Sequence, residues 1–139
     1  MSAIKDEVRI DAPVEKVYQA LTTQAGYRGW WNSVAEVPDA VGGEAALRFI
    51  KDGQPVVMRF RIEELKPNEL VLWRCVAHDM ANWVGTSLRW RLSPAAGSVL
   101  VQLEHAGWTG PTPEPVAQGW RHFLASLKSY VETGTGQPW

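Results

Sequence analysis

The stretch Val116-Ala117-Gln118-Gly119-Trp120-Arg121-His122-Phe123-Leu124-Ala125-Ser126-Leu127-Lys128-Ser129-Tyr130-Val131 carries the strongest helical signal in the chain. Val116, Trp120, Phe123, Leu124, Leu127, Tyr130 and Val131 recur at helical spacing and form one apolar stripe. Gly134, Gly136 and Pro138 end the helix and leave a short tail that carries Trp139. A long helix with one apolar face needs an apolar surface to lie on. The preceding residues supply it as five strand candidates, at 44–51, 55–66, 69–78, 84–92 and 98–107, separated by turns such as Asp52-Gly53 and Lys66-Pro67-Asn68.

Upstream of these, Ile4, Val8 and Ile10 alternate with Lys5, Glu7 and Arg9, the period-two pattern of a half-buried strand. Asp11-Ala12-Pro13 stops that strand and opens a helix, since proline suits a first turn where its missing N–H has no helical partner. Val14, Val17, Tyr18 and Leu21 give this helix its apolar stripe as far as Thr22-Thr23. Residues 25–31 read as a second short helix or turn, interrupted by Gly26 and Gly29, and 38–43 as loop. Successive strands joined by short turns must be mostly antiparallel. The expected architecture is therefore α+β in one domain over 1–139, with a six-stranded antiparallel sheet and a long helix covering one face.

Composition narrows the function classes. With 45% hydrophobic and 21% charged residues in a chain of 139 and a net charge of −1, the sequence lacks the basic excess that nucleic acid requires. Arg48, Arg59, Arg61, Arg74, Arg89 and Arg91 are scattered along the strands and read as a solvated sheet face. Cys75 stands alone, so no internal disulfide forms. The polar residues 1–7 show no signal-peptide core, and no apolar run reaches the ~20 residues of a membrane helix. A cytoplasmic protein with neither a nucleic-acid nor a membrane partner is expected.

Strand parity sorts the candidate site residues. Met58, Phe60, Trp73, Cys75, Trp90, Leu103 and His105 fall on the face that meets the helix, with Ala77 inward and His78 outward. Trp120, Phe123, Leu124 and Leu127 answer from the helix. These eleven are the expected contacts of a small hydrophobic ligand, in a pocket mostly apolar and aromatic with few polar groups. Trp30, Trp31, Trp83 and Trp108 belong to its rim, the adjacent pair splitting between core and entrance. Alternation is equally compatible with a filled interior and a hollow one. His105 reads as a structural imidazole beside the Gly107 bend, because one inward histidine without a partner is no catalytic constellation. Cys75 and His78 lie three apart on a strand and point to opposite faces, so neither metal nor cofactor is expected, and no catalytic residue is assigned.

Ile10-Asp11-Ala12-Pro13-Val14-Glu15-Lys16-Val17-Tyr18 with Leu21-Thr22, Gly29-Trp30-Trp31, His105-Ala106-Gly107-Trp108 and Gly119-Trp120 resemble the START/Bet v 1-like superfamily, and within it the activator of Hsp90 ATPase homologue 1-like branch. The resemblance covers nearly the whole chain. It implies a helix-grip fold, a curved sheet wrapped around the carboxy-terminal helix, often with a cavity for an apolar or amphipathic ligand between them. It also implies two alternatives to simple ligand binding: a polyketide cyclase or aromatase-like enzyme, with His105 as its one acid/base group, or a chaperone-associated interaction module. Oligomeric state has no signature in these residues.

Overall fold

The computed structural model describes residues 2–139, so Met1 of the polar amino-terminal stretch lies outside it. Strand β1 (Ser2–Ile10) leads into helices α1 (Val14–Ala20) and α2 (Gln24–Trp30). Strands β2 (Glu44–Lys51), β3 (Gln54–Lys66), β4 (Leu70–Ala77), β5 (Ser87–Ala95) and β6 (Ser98–Trp108) follow, and α3 (Glu114–Thr133) closes the chain. The strands form one curved antiparallel sheet in the order β1-β6-β5-β4-β3-β2. Pro13 precedes α1 in extended conformation, and the Thr23 hydroxyl accepts the Gly26 N–H at 3.0 Å to cap α2. Gly134, at φ 88°, ends α3 in the left-handed conformation.

The sheet departs from simple alternation at three places, and each one re-aims side chains. The β3–β4 register shifts between Arg59 and Phe60 and between Ile62 and Glu64, leaving Val76 and Glu63 without strand partners. Beyond Val76 the parity of β4 inverts. Ala77 pairs with the outer-face Arg59, and His78, expected outside, comes to the inner side. The third shift lies between Ser2 and Ala3 of β1, opposite Trp108 and Ala106. The residue bypassed is Gly107, at φ 92°, a backbone state in which a side chain is strained. This bulge places Trp108 on the same face as His105, three residues away, and buries it instead of leaving it on a rim.

Strand β5 begins three residues later than expected, because Trp83–Thr86 turn back on themselves after a 3-10 turn at Ala81–Trp83. The Thr86 N–H reaches the Trp83 carbonyl at 3.0 Å. Strand β5 also runs on through Pro94, which pairs with Val99 of β6; β4 ends its pairing at Arg91, so the missing proline N–H leaves no ladder bond unmade.

Seven indoles lie on the inner side. Trp30 and Trp31 are both buried, their rings stacked at 5.6 Å, so the adjacent pair does not split between core and surface. The reason is that Trp31 caps α2 after the helical path has ended. Tyr27 packs on Trp73 at 4.7 Å, and Trp90 meets Trp30 and Trp120 edge-on at 5.7 and 5.8 Å. Burying ~200 Å² of indole at about 25 cal/mol per Å² stabilises by up to about 5 kcal/mol. That exceeds the 1–3 kcal/mol typical of an unmet N–H, and the indole nitrogens of Trp73, Trp83 and Trp90 indeed lack a hydrogen-bond partner. Packing outweighs polar satisfaction in this core.

The edges and the outer face are managed with polar groups. Asn32, fully buried, lays its side-chain amide along the edge of β2: Nδ2 donates to the Arg48 carbonyl at 2.7 Å, and Oδ1 accepts the Arg48 N–H at 3.2 Å. Glu36 and Ala46 pair through both backbone groups one step along. Side chain and loop thus occupy positions that another strand would need. On the outer face charges of both signs interleave, with Glu104 between Lys5 and Arg89 and Glu63 between Arg61 and Arg74. Among the described residues no helix is long and apolar enough to cross a membrane.

Candidate ligand cavity

About two turns of α3 face the β2–β3 end of the sheet and leave space there. Val116, Gly119, Trp120 and Phe123 lie at i, i+3, i+4 and i+7 on the helix. Phe49 and Lys51 of β2, Val56 and Met58 of β3, and the loop after β4 face them. The half-open cavity between them measures about 350 Å³, with Trp31 and Trp83 completing its wall. Gly119 contributes to this volume directly, since a Cβ built there would meet nothing within 4 Å.

The mouth is polar. Lys51 Nζ lies 3.1 Å from Asp79 Oδ2, joining the end of β2 to the loop after β4. Burial works to raise the Asp79 carboxyl, but the Lys51 ammonium and the His78 ring outweigh it and hold it below its ordinary value. His78 stacks on Trp83 at 4.3 Å, and burial lowers its pKa, which favours the neutral ring. Its Nδ1 lies 2.9 Å from both the Met80 N–H and Asp79 Oδ1. An unprotonated Nδ1 accepts from Met80, and a protonated one donates to Asp79.

Behind this wall His105 is held by four groups. The Thr86 hydroxyl donates to the Trp83 carbonyl at 2.6 Å, so its oxygen accepts from His105 Nε2–H at 3.0 Å. Trp120 Nε1–H donates to His105 Nδ1 at 3.0 Å, which assigns the neutral tautomer protonated on Nε2. Trp108 Nε1–H donates to the His105 carbonyl at 3.0 Å, and the Trp83 ring stands edge-on to the imidazole at 4.8 Å. Burial lowers the His105 pKa to about 3. With both nitrogens committed and no exposed surface, the ring can neither take nor give a proton to a ligand. What it does is position two cavity walls, Trp120 directly and Trp83 through Thr86.

The structure divides the residues expected to contact ligand. Met58, Trp120, Phe123, Trp31 and Trp83 line the cavity. Phe60, Trp73, Cys75, Trp90, Leu103, His105, Leu124 and Leu127 do not, nor do Trp30 and Trp108; all are packed into the interior. The centre of the sheet is filled because Tyr27, Trp30 and Trp31 from α2 project into the space that strand parity left open. Cys75 is an inert thiol, pushed up to about 11 by burial. Phe49, Val56, Lys51, His78, Asp79, Met80, Val116 and Gly119 join the wall without having been singled out as ligand contacts from the sequence. For His78 the obstacle was the Val76 irregularity; for Val116 and Gly119 the helical spacing already carried the signal. Among the described residues no group of three or more His, Cys, Asp or Glu is placed to hold a metal ion.

A six-stranded antiparallel sheet gripping one long carboxy-terminal helix defines the helix-grip α+β class of folds, here with a small apolar cavity at one end. The family model described as activator of Hsp90 ATPase homolog 1-like protein matches residues 11–132, and the chain belongs to that family. Its backbone is similar to the solution structure of the Aha1 dimer from Colwellia psychrerythraea, at 30% identity and TM-score 0.81 over 98% of this chain and 100% of that one. A protein from Chromobacterium violaceum shares the fold at 23% identity and TM-score 0.78, covering 94% of this chain and 96% of the other. So does CalU16 from Micromonospora echinospora, at 23% identity and TM-score 0.77 over 97% of this chain and 76% of that one. A comparison with curated proteins finds no match.

Proposed function

We propose that this chain is a binding protein for one small apolar or amphipathic ligand, held between the start of α3 and the β2–β3 end of the sheet. The observation that carries the reading is a cavity of about 350 Å³ with an aromatic and aliphatic wall, kept open beside a core that is otherwise filled. Ligand pockets run from about 300 to 1,000 Å³ and are lined in this way, with few polar groups. Binding without turnover fits the commitment of both His105 nitrogens, which leaves the cyclase-like alternative without an acid or base at that position. A chaperone-associated role rests on the family's name, whereas the cavity is a feature of this chain. The single buried thiol is consistent with a cytoplasmic site of action.

The test is a titration of intrinsic tryptophan fluorescence with a panel of small aromatic and alicyclic alcohols, since Trp31, Trp83 and Trp120 line the cavity. Wild type should show a saturable change. Gly119→Leu fills the cavity from a position with open space, so it should abolish the change while the protein stays folded. No saturable change with any compound, or unaltered binding in Gly119→Leu, would overturn the reading.

A further inference from the structure

The charge balance at the mouth says which ligands the cavity can take; this step rests on the cavity being the ligand site. Of the residues lining it, Lys51 and Asp79 are the charged ones, and they neutralise each other at 3.1 Å. Both side chains keep access to solvent, at 53% and 33% exposure, so each can also meet an entering molecule. A carboxylate that draws Lys51 away leaves its own charge beside that of Asp79. An ammonium that draws Asp79 away is left beside Lys51. Either ion must break an existing pair and then face a like charge, which electrostatic complementarity penalises. An uncharged hydroxyl or carbonyl faces no such penalty, because it can donate to the carboxylate or accept from the ammonium with the pair intact.

Volume sets the second limit. At the ~30 Å³ that one water occupies, the cavity of about 350 Å³ takes roughly a dozen non-hydrogen atoms. We propose that the Lys51–Asp79 pair is a charge filter: the cavity takes an uncharged molecule of that size with a hydroxyl or carbonyl at the mouth, and discriminates against carboxylates and ammonium ions of the same apolar body.

Three probes that share one ring system test this by calorimetry at neutral pH: 1-naphthalenemethanol, 1-naphthoate and 1-naphthylmethylammonium. Wild type should bind the alcohol about fivefold or more tightly than either ion. Asp79→Asn leaves Lys51 unopposed and should strengthen naphthoate by about fivefold without strengthening the ammonium compound. Lys51→Gln should do the reverse. Equal affinities for the three probes in wild type, or variants that move all three together, would overturn the filter while leaving the cavity as the ligand site. Failure of wild type to bind any of them would overturn the filter and count against the cavity reading as well.

Discussion

His105 is a structural residue whose two ring nitrogens are both committed to hydrogen bonds, one with Thr86 and one with Trp120. Its ring is neutral in the fold because burial lowers its pKa to about 3, whereas the unfolded imidazole protonates near ~6.5. Between those values the unfolded chain binds the extra proton, so stability is full above about pH 6.5 and falls as pH drops, by up to about 1.4 kcal/mol per pH unit. Urea denaturation at pH 7 and pH 5 should show this loss. In His105→Leu the loss should be smaller, with lower stability at pH 7 because Trp120 Nε1–H has lost its acceptor. Thr86→Val should cost about 1–3 kcal/mol, since it strands the buried Nε2–H. The identity of His105 and its inward direction were legible from the parity of β6. Its partners were not, because Thr86, Trp120 and Trp108 come from a loop, a helix and a bulge that only the folded chain brings together.

Elements were legible to the extent that their periodicity is local. The period of two in β1 and the period of 3.6 in α3 emerge from neighbours within one segment, and both elements stand where the sequence placed them. Irregularities are a different matter, because a bulge depends on how two strands pair. Gly107 was visible as a bend, but its effect on the direction of Trp108 follows from pairing with β1. Gly107→Ala forces a side chain at φ 92°, with its Cβ 3.4 Å from the Thr86 Cα, and should cost about 1–2 kcal/mol in chemical denaturation. Close approach of helices gives a sharper case. A Cβ at Gly29 would lie 2.2 Å from the Tyr130 ring, so Gly29→Ala should push α2 from α3 and cost about 1–3 kcal/mol, read as a lowered Tm.

Over the molecule as a whole, the carboxy-terminal tail is tied back across the helices. Ser126 Oγ donates to the Trp30 carbonyl and accepts the Gln137 N–H, both at 2.7 Å, and the Trp139 N–H reaches the Trp31 carbonyl at 2.8 Å. The half-exposed Trp139 ring packs on Phe49, a cavity wall, at 4.6 Å, so the tail braces the site from outside. Gly136→Val would set a Cβ 2.4 Å from the Gly29 carbonyl oxygen. It should release the tail, seen as faster hydrogen exchange at residues 135–139 and a fluorescence change of Trp139. The order of strands and helices, the antiparallel sheet and the inner face of most strands follow from the sequence alone, because hydrophobic periodicity is written into consecutive residues. Which indoles fill the centre, and where a space of ligand size remains, follow from the folded molecule. Packing is a contest for one shared volume among side chains distant in sequence: Tyr27, Trp30 and Trp31 occupy the middle, and Gly119 leaves the end open.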